Sequence, residues 1–268
     1  MTATDTVFAG SIPAIYDRYM VPLIFAPYAQ LVAERAAELQ PRRILETAAG
    51  TGVVTEELYR ALPNAEIVAT DLNAPMLEQA QSRVSASNVR FQPADAQALP
   101  FDADSFDLAV CQFGIMFMPD KVRANSEARR VLRDGGRYML VIWDRIEHNL
   151  ATMAAGRAVA ELFPIDGARF YERIPFRYHD VGEIERDLLA AGFTDIEYET
   201  VERRSSAASA RDAAIALVQG TPMRSDIEQI APDRLGQATD AAERALREFE
   251  GPDGFDAPMS ARLVTAIK

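Results

Sequence analysis

Residues 42–73 read RRILETAAGTGVVTEELYRALPNAEIVATDLN, and no other stretch restricts the fold of this chain as much. An apolar run at 43–47 leads into a turn of small residues, Ala48-Ala49-Gly50-Thr51-Gly52, and apolar residues at helical spacing follow over 53–62. A second, β-branched run at 66–72 contains Asp71. The pattern predicts strand, glycine turn, helix and strand in direct succession. Glycine suits such a turn because a Cβ would hold a ligand away from the backbone, and the helix start behind it offers unpaired N–H groups. Asp71, about 20 residues past the glycines, is placed to hold the two hydroxyls of a ribose; the alternative is a cap for the helix beginning near Ala74. The unit reads as a nucleoside-cofactor site.

Further along, 89–94 is a third strand running into Asp95-Ala96, and FDLAVCQF at 106–113 is a continuous apolar run suited to a parallel strand buried on both faces. Residues 121–132 have helical periodicity and stop at Asp134-Gly135-Gly136, and RYMLVIW at 137–143 supplies a fifth strand.

Composition narrows the function classes. The 268 residues, 49% of them hydrophobic, suffice for one large α/β domain with an elaboration. A formal charge of −12, from 28 basic and 40 acidic residues, opposes a polyanionic partner such as nucleic acid. No run approaches the ~18 apolar residues that span a bilayer, and the N-terminus lacks the basic start and apolar core of a signal peptide, so a cytoplasmic protein is expected. The single cysteine, Cys111, forbids an internal disulfide and, inside an apolar strand, reads as a buried inert thiol. His148 and His179 are the only histidines, the residue type suited to general-base work near neutral pH. His148, after the fifth strand, is the candidate general base, against the alternative of a solvated loop histidine. His179 precedes a helix cap, Asp180, and is assigned to structure. No histidine and carboxylate cluster points to a metal.

The residues Glu46-Thr47-Ala48-Ala49-Gly50-Thr51-Gly52 resemble motif I of the class I S-adenosylmethionine-dependent methyltransferases, an acidic residue at a strand end followed by G/A-x-G-x-G. Ala48 stands where the first glycine often does. The segments CQFGIMFMPD and VLRDGGRYMLVIW are similar to that family's fourth motif and to the helix, glycine turn and strand after it. The resemblance covers 42–144, and the quinone-biosynthesis C-methyltransferases share this general motif set, although no substrate motif in the second half matches theirs. It implies a Rossmann-like seven-stranded α/β sheet with helices on both faces and a helical cap. It also implies S-adenosylmethionine as cofactor, adenosylhomocysteine as product, and a cofactor site of Glu46, Ala48, Gly50, Thr51, Gly52 and Asp71. Leu72 and Met76 would border the adenine or belong to the core. Asp95 and Ala96 would lie at the adenine amino group, or Asp95 is an ordinary acid after a strand. Cys111 and Gln112 would present backbone to the methionyl end. Tyr16 and Tyr19 resemble an aromatic element that closes over the sulfonium; the alternative is an amphipathic helix whose tyrosines simply pack. A carboxylate at Glu46 would repel a pyrophosphate but suits an ammonium and a sulfonium. An NAD(P)-dependent oxidoreductase and a non-catalytic cofactor-binding protein of the same fold are the alternatives.

One methyltransferase domain over 1–268 is therefore expected, with an N-terminal helical cap segment at 1–41 broken around Pro22 and Pro27 and a cofactor-binding core at 42–144. Substrate-cap insertions fill 145–180 and 203–258, and 181–202 and 259–268 complete the sheet. The acceptor is expected to be a small, apolar or aromatic molecule, because the nucleic-acid tetrapeptide NPPY is missing after the fourth strand. Candidate lining residues are Trp143, Phe163, Phe170, Tyr171, Phe176, Tyr178 and Met223, or these form the core of the cap itself. Monomer and homodimer both stay open.

Overall fold

The computed structural model describes residues 8, 10–163 and 169–268, so expectations falling on 1–7, 9 and 164–168 lie outside the described residues. Helix α1 (Ile12–Ile15) is followed by a wide-turned π-type segment, Tyr16–Phe25, and by α2 (Ala26–Leu39). The sequence predicts a break around Pro22; instead the helical run continues through the proline with wider i→i+5 hydrogen bonding, seen from Ala26 N–H to the Val21 carbonyl.

Five runs form the parallel part of the sheet: β1 (Arg43–Thr47), β2 (Glu66–Asp71), β3 (Val89–Pro93), β4 (Phe106–Gln112) and β5 (Leu132–Trp143). Helices α3 (Val53–Ala61), α4 (Ala74–Arg83) and α5 (Lys121–Val131) lie between them in the chain. After β5 come α6 (Leu150–Leu162), α7 (Phe170–Arg173), α8 (Val181–Ala190), β6 (Thr194–Ala207), α9 (Ala210–Gln219), α10 (Met223–Ile230), α11 (Leu235–Leu246), β7 (Glu250–Gly251) and β8 (Gly254–Ile267). The strand order is β3-β2-β1-β4-β5-β8-β6, with β7 on β8. β8 runs antiparallel to β5, from Arg137 opposite Ile267 to Trp143 opposite Ala261.

Strand β1 pairs with β2 on one side and β4 on the other. The chain winds outward from β1 to β3 and then returns to β4, so the carboxyl ends of β1 and β4 flank the switch point where open α/β sheets bind ligands. Ile44 and Leu45 on β1, Leu108–Cys111 on β4 and Leu140–Ile142 on β5 are almost completely buried at consecutive positions, which requires cover on both faces. Each such aliphatic side chain contributes about 1.5–3 kcal/mol.

The chain divides into two units, one of Tyr28–Trp143, Tyr178–Val201 and Ala261–Lys268, the other of Met1–Pro27, Asp144–Arg177 and Glu202–Ser260. From Tyr28 onward α2 belongs to the sheet unit, a correction to the expected cap segment 1–41: Tyr28 is fully buried and its hydroxyl donates to the Val201 carbonyl. In the other unit, α6, α9 and α11 pack through small side chains, among them Ala155, Ala213, Ala216, Ala238 and Ala242. The insertion expected at 203–258 is not helical at its ends, where β6 runs on to Ala207 and β8 starts at Gly254. Arg204 and Ser206 on β6 bond Asp256 on β8, a partnership across about fifty residues that local periodicity does not show.

Candidate cofactor site

Beyond β1 the backbone enters the left-handed region three times, at Ala48 (φ 54°), Gly50 (φ 56°) and Gly52 (φ 81°). The Ala49 N–H donates to the Thr70 carbonyl at 2.9 Å, which ties the turn to β2, and the Arg83 Nε–H donates to the Thr51 carbonyl at 3.1 Å from α4. A Cβ on Gly52 would come within 2.8 Å of the Ala80 Cβ, so this glycine lets α3 approach α4. Ala48 adopts a conformation that costs a side-chain-bearing residue roughly 1–2 kcal/mol. Its methyl fits because Gly114 has no side chain; a Cβ there would lie 2.4 Å away.

Two acids converge on this turn. Glu46 is 2% exposed and accepts a hydrogen bond of 2.5 Å from the Thr55 hydroxyl. Burial pushes its carboxyl up to about 8, against the pull of Thr55 and with added repulsion from Asp71. Asp71 accepts from the Gly50 N–H at 2.9 Å and the Asn73 N–H at 2.8 Å. Burial raises its pKa as well, while these backbone donors lower it. Thr51 brings a buried hydroxyl that has no hydrogen-bond partner. Two buried carboxyls and an unsatisfied hydroxyl on one turn are costly unless a cation and further donors meet them. An ammonium, a sulfonium and ribose hydroxyls supply those groups, so the residues present fit S-adenosylmethionine. Thr55, at the place of the third glycine of a dinucleotide turn, is the hydrogen-bond partner of Glu46, a contact the sequence alone does not reveal.

Around the turn, Leu72 is 64% exposed at the end of β2 while Met76 is buried, which leaves Leu72 as an open apolar flank. The loop after β3 lies next to Asp71 through the Ala94 N–H bond to the Asp71 carbonyl at 3.1 Å. Asp95 in that loop is exposed, and its Oδ1 accepts from the Gln97 N–H at 2.8 Å; Ala96 is half-buried beside it. Cys111 is fully buried and bonded to Thr47, and burial pushes its thiol up to about 11, the state of an inert structural cysteine. Gln112, half-buried, closes β4.

Several residues expected to line the acceptor pocket have packing partners of their own. Trp143 does not present an open face: its ring stacks on Phe113 at 3.8 Å between centroids, and Tyr28 meets both edge-on. Phe113, missed in the sequence, has φ 54°, so strained backbone occurs after both central strands. Tyr178 belongs to the sheet unit, where its hydroxyl donates to Asp187 at 2.8 Å and the Lys121 ammonium lies 5.0 Å over its ring. It is counted with a different unit from the other aromatics of 163–178. Those residues, Phe163, Phe170, Tyr171 and Phe176, are buried in their own unit, as is Met223. Tyr171 donates to the Leu217 carbonyl at 2.6 Å, which marks it as interior structure. Tyr16 stacks on Phe25 at 5.1 Å, and Tyr19 carries the Arg18 guanidinium over its ring, both within the second unit. A solvent-open groove of about 770 Å³ in that unit, lined by Arg204, Phe249, Phe255 and Asp256, includes none of the expected residues.

His148 has a partner the sequence did not reveal. Its Nδ1 lies 2.8 Å from Asp144 Oδ2, which also accepts from the Ser260 hydroxyl at 3.1 Å. Asn149 holds Ser260 by two bonds, one to its carbonyl and one from its N–H. Among the described residues, no group of three or more histidines, cysteines or acids is arranged to hold a metal ion.

Residues 44–136 match the family described as methyltransferase domain. The chain is 28% identical over 208 residues to the ubiquinone/menaquinone biosynthesis C-methyltransferase of Stutzerimonas stutzeri, covering 72% of this chain and 77% of that one. It is 36% identical over 143 residues to the demethylmenaquinone methyltransferase of Deinococcus radiodurans, covering 52% of this chain and 59% of the relative, so the match spans less than two thirds of that protein. The phosphoethanolamine N-methyltransferase 2 of Haemonchus contortus, solved with S-adenosyl-L-methionine, is 18% identical with a TM-score of 0.58, over 97% of this chain and 60% of that chain. At that identity the likeness concerns the fold.

Proposed function

We propose that this chain, which belongs to the class I S-adenosylmethionine-dependent methyltransferases, transfers a methyl group to a small apolar or aromatic molecule, with quinone-type rings the first class to test. The observation that carries the reading is the pair of buried acids, Glu46 and Asp71, on a strained turn at the switch point of the sheet. A bound cation favours the ionised form of these two acids, whereas a pyrophosphate gains nothing from them and is repelled by either once ionised, which disfavours the nicotinamide reading. In this reading Asp71 takes the ribose hydroxyls, Glu46 faces the cationic end, the Thr51 hydroxyl gains its missing partner, and Leu72 with the Asp95-Ala96 loop borders the adenine. When bound, the sulfonium supplies a methyl carbon already activated for displacement. The chain's own contribution is then alignment and exclusion of water.

The names of the relatives support a quinone-type acceptor, and the charge of −12 supports a small molecule over nucleic acid. Among the described residues no helix is long and apolar enough to cross a membrane, which is compatible with work in the cytoplasm. Methyl-labelled S-adenosylmethionine offered with a panel of phenols, quinones and amines should label a member of the panel and leave RNA, DNA and protein unlabelled. Labelling of macromolecules alone would overturn the acceptor class, and binding without turnover would favour a non-catalytic cofactor-binding protein.

A further inference from the structure

We infer, on the cofactor reading above, that Gln97 is a positioning residue for base recognition: it turns the Asp95 carboxylate so that one oxygen meets the exocyclic amino group of the adenine, and so makes the site selective for a 6-aminopurine over a 6-oxopurine. The Ala94 N–H donates to the Asp71 carbonyl at 3.1 Å, and Asp71 Oδ2 accepts from the Gly50 N–H at 2.9 Å, so the loop after β3 follows directly on the acid of the cofactor turn. Leu72, next to Asp71 in the chain and 64% exposed, offers an apolar surface for a ring.

Gln97 holds Asp95 twice. Its backbone N–H and its side-chain Nε2 both donate to Asp95 Oδ1, at 2.8 and 3.3 Å, so that oxygen is engaged within the loop and Oδ2 is the acceptor left toward a ligand. The first bond alone makes an ordinary turn, in which an aspartate satisfies the backbone two residues on. The second does more, because Gln97 is itself anchored to the start of α5. Its Oε1 accepts from the Asp120 N–H at 3.0 Å, and its carbonyl accepts from the Arg123 Nε–H at 2.7 Å. The two bonds also fix which way the amide points: only its oxygen can accept from a backbone N–H, and only its nitrogen can donate to a carboxylate.

The rest of the loop is gripped in the same way. Glu127 Oε2 accepts from the Leu99 N–H at 2.8 Å, and Arg130 donates to the Leu99 and Phe101 carbonyls at 2.9 and 2.7 Å. Arg123, Glu127 and Arg130 follow one another at spacings of four and three on α5, which places them on one face of that helix. A loop that merely joins two strands leaves such backbone groups to water; here one helix face holds them from Gln97 to Phe101. A carboxylate fixed in this way discriminates. Its Oδ2 accepts from an amino N–H and repels a carbonyl oxygen at the same place, whereas a carboxylate that turns easily escapes the mismatch at little cost.

Calorimetric titration of the full chain with adenosylhomocysteine and with S-inosylhomocysteine, which carries a 6-oxo group in place of the 6-amino group, reads the preference directly. The wild type should bind adenosylhomocysteine at least about tenfold more tightly, the range for a hydrogen bond to a charged group. Asp95→Ala should cut that preference by about fivefold or more. Gln97→Met should cut it by at least about twofold, as should Gln97→Glu, which keeps an acceptor for the Asp120 N–H but sets a carboxylate beside Asp95. Gln97→Met added to Asp95→Ala should change it no further. With Asp95→Ala effective, a preference altered less than about twofold in both Gln97 variants, including equal weakening of both ligands as a merely structural role would give, overturns the positioning role and leaves Asp95 at the adenine. A preference unchanged in Asp95→Ala overturns that placement and the inference with it. A wild type that does not bind adenosylhomocysteine overturns the cofactor site itself, a third and separate result.

Discussion

The Ala48 methyl occupies the room that Gly114 leaves by having no side chain: a Cβ on Gly114 would stand 2.4 Å from the Ala48 Cβ and 2.9 Å from the Cys111 sulfur. The turn after β1 and the turn after β4 are thereby fitted to each other at the switch point. Gly114→Ala should lose on the order of 1–3 kcal/mol in denaturant unfolding through overpacking, and cofactor affinity should fall with it. Ala48→Gly alone should be neutral or gain up to about 1 kcal/mol, because it relieves the positive φ. Combined with Gly114→Ala it should recover part of the loss, the rest remaining against Cys111. A Gly114→Ala protein as stable as wild type would contradict the fit.

Glu46 gives the protein a pH dependence with a definite sign. Its carboxyl is raised from 4.5 to about 8 in the fold, first by burial. The native state therefore holds a proton that the unfolded chain has already released, and stability falls as pH rises from about 4.5 through about 8. Asp71, raised for the same reason, acts in the same direction. At about 1.4 kcal/mol per pH unit, the cost reaches a few kcal/mol above pH 8. Urea melts at pH 6 and 8.5 should show it, and Glu46→Gln should be less sensitive over that window. Equal loss in Glu46→Gln would assign the effect to other groups.

Ionisation of the same acid links to ligand binding. A bound sulfonium and ammonium favour the charged carboxylate, so S-adenosylmethionine affinity should improve from pH 6 to 8.5 with release of a proton. Calorimetry in buffers of different ionisation enthalpy measures that proton; none released, or uptake instead, would count against Glu46 facing the cationic end.

Asp71→Ala removes the acceptor of the Gly50 and Asn73 N–H groups together with the proposed ribose contact. Cofactor binding should weaken by about 1–3 kcal/mol, the range for buried hydrogen-bonding groups left unpaired. Unchanged affinity would remove Asp71 from the site.

Tyr171→Phe tests whether the aromatics of 163–178 are interior or lining. The hydroxyl bonded to the Leu217 carbonyl is lost, so stability should drop by about 1 kcal/mol while the acceptor KM stays as in wild type. A changed KM with unchanged stability would return Tyr171 to the acceptor pocket.

The core of the fold could be read in the sequence because it is local. Period, glycine turn and strand-end acid lie within 42–73, and each reports a short-range constraint on the backbone. What could not be read depends on distant partners. Nothing near Ala48 announces Gly114, nothing near His148 announces Ser260, and the strand character of 203–207 rests on Asp256 beyond three helices. The aromatics are ambiguous for another reason: a large apolar side chain fills a core as readily as it lines a pocket, and sequence does not separate the two. Tyr178 and Trp143 went to the sheet unit, the others to the interior of theirs.

The most direct test of the account is a calorimetric titration of the full chain with adenosylhomocysteine, S-adenosylmethionine, NAD and NADP under one set of conditions. Binding of both adenosyl ligands, weakened by Asp71→Ala and Thr55→Val, with dinucleotide affinity at least about tenfold lower, equivalent to 1.4 kcal/mol, is the expected result. Equal or tighter binding of a dinucleotide would contradict the assignment of the turn between β1 and α3.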